Sequence, residues 1–507
     1  MKGLDESLIE RFRDIVGSQH VVSDGDEIGS LQRATFPTDQ QIKAVLYPAT
    51  VQEVSQCLLL ASGSQVPVYS VSRGNNWGYG SKVPYDHAVL MHLNRMDAIL
   101  DFDDELGCVT IEPGVSFHQL ANFLQDQTSD YILSAPGSTS DASVMGNTLE
   151  RGISQGGYTQ RSNQVGNLQV VMADGTIVET GAGGVTSAVA KYNHKYGLGP
   201  HLDGLFFQSG LGVVTRMTLW LKKRPDFFRT FHFSLKDSTQ FGPLFTVMRT
   251  FKQQQVVPVT FSLFNDYRIM TFLGGYPYHQ LPDGQSNPTA LKQLMQQYLA
   301  GRRWFGQGAI ESFNQQVLDH TQAYVNDELS TLVSLEWTEP DQPNPYYSNS
   351  TASGLSSAYW RKRALPESGN LDPDRDDCGL LFINAVLPFK LSLVWTCTSR
   401  FEEQIIAHGF EPAISLQCID ERTVYFIGTI HYDRSEPGED RRAMDCFESV
   451  QQDMYRRGYF PYRGGLQTLP MGKYLDQGYQ SLLDKLRAAL DPHQVMAPGK
   501  LDKLQDE

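Results

Sequence analysis

The stretch Val71–Lys82 (VSRGNNWGYGSK) constrains this chain more than any other, because Gly74, Gly78 and Gly80 fall within seven positions, ahead of an apolar run at Ala88–Leu93. Glycine permits positive φ and lets backbone approach a ligand closely. Successive backbone N–H groups in such a turn form a concave nest for phosphate oxygens. A second stretch, Ser134–Gly152 (SAPGSTSDASVMGNTLERG), is rich in small residues, holds Gly137, Gly146 and Gly152, and continues into Gly156–Gly157. Such a segment does not fill a core with side chains. Its use is to lie flat against something large and planar, or against phosphates. The G-x-G-x-x-G that opens the common dinucleotide fold after its first strand is absent.

At 507 residues the chain is too long for one core, and at roughly 150 residues per domain it divides into two to four. A net charge of −15 argues against nucleic acid, whose binders carry a basic stripe. No run approaches the ~18 apolar residues of a membrane span. The N-terminal MKGLDESLIERF has acidic residues where a signal peptide is apolar. The expected location is the cytoplasm, with no membrane contact. The six cysteines are scattered and form no C-x-x-C pair, which reads as reduced, mostly buried thiols. The 12 histidines show no metal-ligand spacing, so no metal site is expected.

In order, residues 5–16 have the periodicity of an amphipathic helix. Lys43–Tyr47 reads as a strand, and Thr50 caps a helix to about Ala61, with Glu53 completing a capping box. Gln65–Ser70 and Ala88–Leu93 are strands on either side of the glycine loop. Ala98–Asp103 and Cys108–Glu112 form a hairpin, and Ser116 caps a helix to Gln125. Leu168–Ala173 and Ile177–Thr180 flank an Asp174–Gly175 turn compatible with type I′. Leu205–Gln208, a Gly-Leu-Gly step at 210–212 and Val213–Leu221 close this half with strand character. After Pro225 the composition shifts to an α+β pattern, with strands at Val257–Phe264, Thr331–Trp337, Leu380–Leu387 and Val424–Ile430. Helices are expected at Pro288–Leu299, Phe401–His408, Asp440–Arg457 and Tyr479–Leu490. Residues 338–376 read as a long loop.

Five ordered segments resemble the vanillyl-alcohol oxidase / p-cresol methylhydroxylase family of FAD enzymes. They are RGNNWGYGS (73–81), PGSTSDASVMGNTLERG (136–152), LQVVMADGTIVETG (168–181), YGLGPHLDGLFFQSGLGVVTRMTLWL (196–221) and DPHQVMAPGK (491–500). The resemblance implies an α+β protein with a two-subdomain FAD-binding domain of the p-cresol methylhydroxylase (PCMH) type. An inserted cap domain, built on an antiparallel sheet, covers the isoalloxazine ring. The implied domains are 1–225, the N-terminal part of the FAD domain; 226–460, the cap; and 461–507, the return to the FAD domain and active site. FAD contacts are then expected from Arg73, Gly74, Asn75, Asn76, Gly78, Tyr79 and Gly80 in the first loop. Pro136, Gly137, Ser138, Ser143, Gly146, Asn147 and Gly152 follow in the second, and Gly212, Val213 and Lys500 complete the set.

By the same resemblance Tyr79, Tyr462 and Arg463 match a phenol-binding trio. A phenol has a pKa near 10, and a guanidinium with two hydroxyl donors favours the phenolate. Its charge pushes into the ring, so a hydride leaves the para-benzylic carbon for the flavin and a p-quinone methide results. Asp141 is the candidate carboxylate near the reacting centre, with Ser138 as the alternative position and Asp376 a weaker acidic candidate. The position where relatives attach FAD covalently matches Leu380, so non-covalent FAD is expected, with Cys378 close to that position. A histidine pair of the cap is replaced by Tyr425 and Phe426. The expected activity is oxidation of a para-substituted phenol, with oxygen or an electron-acceptor protein taking the electrons, in a homodimer. Two readings stay open beside it: an FAD-dependent oxidase of a non-phenolic alcohol or natural-product intermediate, and a catalytically idle flavoprotein subunit.

Overall fold

The computed structural model describes residues 4–134, 136–154, 160–258, 261–338, 353–366 and 371–501. The first sheet contains β1 (Val21–Val22), β2 (Ile42–Leu46), β3 (Val68–Val71) and β4 (Ala88–His92) in the order β1-β2-β4-β3. Strands β2, β4 and β3 are parallel, so a crossover must join β2 to β3. The helix Val51–Ser64 supplies it. The Glu53 N–H donates to Thr50 Oγ1 at 3.1 Å, and the Glu53 carboxylate accepts from the Ala49 N–H at 2.7 Å. The box thus reaches one residue further back than expected. The chain's tail completes this layer: the Val68 N–H donates to the Val495 carbonyl and the Ala497 N–H to the Val68 carbonyl, both at 2.8 Å.

The second sheet is antiparallel, with β5 (Ile99–Asp103), β6 (Cys108–Ile111), β8 (Val165–Val171), β9 (Ile177–Glu179) and β10 (Val213–Trp220) in the order β5-β6-β10-β8-β9. The short β7 (Tyr131–Ile132) pairs separately with β11 (Lys222–Lys223). The β8–β9 turn is not type I′, since Gly175 has φ +80° but Asp174 is not left-handed. The Gly175 N–H donates to the Met172 carbonyl at 2.9 Å, closing a turn with one left-handed residue at its end. Leu205–Gln208 is not a strand either. Asp203–Phe206 forms a 3₁₀ turn, and the Gln208 N–H is taken by the Leu149 carbonyl at 3.1 Å.

The third sheet has seven antiparallel strands: β12 (Phe227–Leu235), β13 (Phe261–Asn265), β14 (Trp304–Ser312), β15 (Val333–Thr338), β16 (Cys378–Pro388), β17 (Ala413–Cys418) and β18 (Thr423–Asp433). Their order is β15-β12-β14-β13-β17-β18-β16. Period-two alternation divides its faces. Leu381, Ile383, Leu416 and Phe426 turn into a large apolar core under the helices Phe241–Gln253, Leu391–Ala407 and Glu439–Arg456. The alternate positions, among them Leu380, Phe382, Ser415 and Gln417, turn to the opposite face. The fold is α+β, with the large antiparallel sheet as the cap over two smaller sheets.

Much of the expected loop at 338–376, like Gly156–Gly157, lies outside the described residues; Ser353–Ala358 within it is helical. All six cysteines are buried and unpaired. Among the described residues no helix is long and apolar enough to cross a membrane.

Candidate active site

A cavity of about 910 Å³ lies between the cap sheet and the two small-residue loops. The cap's contribution follows the strand period: Leu380 and Phe382 from β16, Ser415 and Gln417 from β17, Phe305 and Gln307 from β14. Backbone of the glycine loop fits under this wall only because side chains are missing. A Cβ on Gly78 (φ +77°) would lie 2.4 Å from Phe382 Cδ2, and one on Gly80 (φ +111°) 2.6 Å from Leu466 Cβ. The Gly78 N–H donates to Thr35 Oγ1, and its carbonyl accepts from Gln467 Nε2, both at 2.9 Å.

Tyr79 therefore enters the cavity at a fixed angle. Its ring stacks on Phe382 with centroids 5.2 Å apart, and its hydroxyl accepts from Asn384 Nδ2 at 2.6 Å. The segment after Phe460 is threaded between β16 and this loop. The Val386 N–H donates to the Phe460 carbonyl and the Leu466 N–H to the Tyr79 carbonyl, both at 2.8 Å. That places the Arg463 guanidinium 3.7 Å from the Tyr79 ring centroid, with Nη2 donating to Asn76 Oδ1. Tyr462 stacks almost parallel on Tyr425 at 4.3 Å, and the Tyr425 hydroxyl accepts from Gln160 Nε2 at 2.7 Å. Tyr425 thus braces Tyr462, whereas Phe426 belongs to the core against Phe401.

Burial pushes the Tyr462 hydroxyl well above the ordinary tyrosine range, and Tyr79 adds to this while Arg463 opposes it. Tyr462 is consequently a neutral donor at pH 7. Burial works to lower Arg463, but its polar surroundings, Tyr79 and Glu150 among them, hold it above its usual value, so it stays a cation. A buried cation and tyrosine hydroxyls lining one cavity are suited to holding an oxyanion.

A smaller cavity of about 140 Å³ adjoins the first. Asn75, Asn76, Asn147 and Arg463 line both. Its walls are Ser70–Gly74, Ser143, Gly146, Glu150, Gly210, Gly212 and Lys500. A Cβ on Gly212 would come 2.5 Å from Val170 Cγ1, so this wall admits no side chain there. Lys500 Nζ meets Glu150 Oε1 at 2.7 Å, and Glu150 also accepts from Gln208 Nε2. At the junction Arg463 Nε is buried without a hydrogen-bond partner, and so are Asn384 Oδ1 beside the Tyr79 hydroxyl and Gln467 Oε1 beside the Gly78 turn. A narrow, small-walled channel opening into a wide chamber with spare polar atoms fits a dinucleotide with a planar head. The first-loop and second-loop residues would hold its phosphates, and the chamber its ring.

Of the expected FAD contacts, Arg73, Gly74, Asn75, Asn76, Ser143, Gly146, Asn147, Gly212 and Lys500 line the channel. Tyr79, Pro136, Gly137, Ser138 and Gly152 line the chamber. Gly78 and Gly80 act on loop shape, and Val213 is buried in β10 against β8. Asp141 is not brought to Tyr79. It is exposed, and its backbone is engaged: the N–H donates to Thr139 Oγ1 at 3.2 Å and the carbonyl accepts from Arg73 Nε at 2.6 Å. Ser138 lines the chamber instead. Asp376 and Cys378 are also absent from its lining. Against the effect of burial, Arg375 and Tyr359 hold Asp376 below the usual carboxylate range, and burial pushes the Cys378 thiol up. Leu380 does line the chamber. Sequence reasoning missed Phe117 and His118, and the cap residues His232, Phe264, Arg268 and Phe272. Most of these lie where the resemblance holds only in outline.

Residues 42–181 match the model of an FAD binding domain. The chain is 35% identical to the 1'-carboxy-chondrochloren decarboxylase of Chondromyces crocatus, over 98% of this chain and 97% of that one. It is 25% identical to the flavoprotein subunit of the hydroxylating 4-cresol dehydrogenase of Pseudomonas putida, over 97% and 94% of the two chains. In fold it matches p-cresol methylhydroxylase with substrate bound, with a TM-score of 0.87 at 21% identity over 100% and 98% of the chains. The 4-ethylphenol oxidase of Gulosibacter chungangensis, in complex with isoeugenol, gives the same TM-score and identity over 97% and 96%. A nearly full-length relative at this identity, with the FAD-domain match and the shared fold, makes this chain an FAD-dependent oxidoreductase that belongs to the vanillyl-alcohol oxidase / p-cresol methylhydroxylase family.

Proposed function

We propose that the protein oxidises a para-substituted phenol at the benzylic carbon. The observation that carries this reading is the convergence of Tyr79, Tyr462 and Arg463 on one cavity. Arg463 supplies the positive charge that favours the phenolate, and the two tyrosine hydroxyls donate to its oxygen. Stacking on Phe382 and Tyr425 fixes those donors before the substrate arrives, so little reorganisation accompanies the reaction. FAD, when bound, supplies the two-electron acceptor. The apolar chamber wall excludes water from the ring of the bound phenol.

FAD is proposed to be held without a covalent bond, since Leu380 offers no nucleophile and the Cys378 thiol is protonated and outside the chamber. Oxygen or an acceptor protein then reoxidises it, and the homodimer and the division at 225 and 460 are part of the same reading. The relative named as a decarboxylase favours a second fate for the intermediate. Where the side-chain carbon next to the benzylic one bears a carboxylate, its C–C bond breaks once the hydride has left. CO2 departs, the electron pair forms the side-chain double bond, and the quinone methide returns to phenolate.

The test is anaerobic mixing of FAD-loaded protein with a panel of 4-alkyl and 4-(carboxyalkyl) phenols and their O-methyl ethers. Bleaching of the flavin by free phenols, and by none of the ethers, is expected. Failure across the whole panel rejects the phenol reading.

A further inference from the structure

The cap side of the chamber carries a cation that the phenol site does not use. Arg268 is the third residue of the helix Asp266–Leu273, which Asn265 caps by accepting the Arg268 N–H at 3.0 Å. Its guanidinium lies 4.5 Å from the Phe272 ring centroid and lines the chamber. Its hydrogen bonds run from Nη1, to Thr271 Oγ1 at 3.3 Å and Ser357 Oγ at 3.4 Å, and both are long. Nε is buried without a partner.

Other arginines of the cap have carboxylate partners. Arg361 meets Glu411 at 2.6 Å, Arg363 meets Glu436 at 2.6 Å, and Arg303 pairs with Glu402. Among the described residues no carboxylate lies within ion-pair distance of Arg268. The neighbouring imidazole, His431, is no counter-charge, because burial together with Arg268 and Arg361 keeps it neutral. Burial lowers Arg268 to about 10, which still leaves it charged at neutral pH. A partly buried charge is retained at such a cost when something pairs with it. Here the cavity is the open side.

We propose that Arg268 binds a carboxylate on the substrate's side chain, so that the substrate class is a phenol with an anionic tail. The head of that ligand rests on the function proposed above; the tail does not. One cation, a serine hydroxyl and aromatic walls at Phe264, Phe272 and Phe305 fit a single carboxylate rather than a doubly charged phosphate.

The experiment compares 3-(4-hydroxyphenyl)propionate with 4-propylphenol in FAD-loaded wild type, Arg268→Gln and Arg268→Lys. The ratio of their kcat/KM values is expected to fall about tenfold or more in Arg268→Gln, in line with loss of one charge-assisted contact, and to recover partly in Arg268→Lys. An unchanged ratio overturns the proposal and leaves phenol oxidation standing. Binding of 3-phenylpropionate against 3-phenylpropanamide, read by calorimetry, needs no phenol and no turnover. The acid is expected to bind about tenfold more tightly in wild type. Equal affinities overturn the Arg268 assignment even where Arg268→Gln does not fold.

Discussion

Arg463 is a buried cation whose guanidinium lies over the Tyr79 ring and which the Glu150 carboxylate reaches only through its field. Removing it takes the charge from the phenolate end of the chamber. Arg463→Ala is expected to lower kcat/KM by the equivalent of about 2–4 kcal/mol, read by steady-state kinetics on the best phenol with flavin content held equal. An unchanged value would show that Arg463 is not in the site. Asp374 gives a second prediction of a different kind. It is buried, accepts from Ser81 Oγ at 2.8 Å, and burial pushes it up to about 7. Between the unfolded carboxyl value and about 7 the folded protein keeps a proton that the unfolded chain has lost, so stability falls as pH rises through that window. Asp374→Asn removes this dependence. Its melting temperature relative to wild type is expected to climb from pH 4 to pH 7, by the equivalent of up to about 4 kcal/mol; a flat difference would contradict it. That Tyr79, Tyr462 and Arg463 share one cavity was legible because short motifs carry them. Asp141 was misplaced because a turn aspartate and a site aspartate look alike in a Ser/Thr-rich loop. Arg268 was illegible because its meaning lies in the missing partner, which needs three dimensions to see.

The glycine loop works as an element through what it omits. Gly78→Ala places a methyl against the Phe382 ring at a left-handed φ of +77°. It is expected to cost roughly 1–3 kcal/mol from backbone strain, plus the displacement of Phe382 that supports Tyr79. Denaturant titration reads the stability, and flavin retention on gel filtration reads the site; wild-type values in both would refute the role given to this turn. Elements with strong local signals were readable: the helix after Thr50 has a cap and a period, and β16 has an apolar run. Strand β14 was not, since Gly306 and Gly308 dilute its pattern. Their space is filled by the rings of Phe233 and Phe231 from β12, to which a Cβ would come within 2.1 and 2.3 Å. Strand propensity there is a property of the pair of strands, which no single stretch displays.

Across the whole molecule, the last described residues close what the first strands begin. Asp491 is fully buried and accepts the N–H groups of Val495 at 3.0 Å and Met496 at 2.8 Å, which aligns the tail beside β3. Lys500 then reaches Glu150 at the channel. Asp491→Ala leaves two buried donors unpaired and is expected to destabilise the fold by about 2–5 kcal/mol, with weaker FAD retention as its second sign. Stability and retention equal to wild type would show that the tail is not part of the site's frame. Phenol oxidation in this chamber depends most on its holding the phenol as the anion. The direct measurement is the difference absorption spectrum of 4-nitrophenol bound to the protein, at a pH about two units below its solution pKa, a shift within reach of a neighbouring cation. The phenolate spectrum in wild type, replaced by that of the neutral phenol in Arg463→Ala, is the predicted result. A neutral phenol bound in wild type would contradict it.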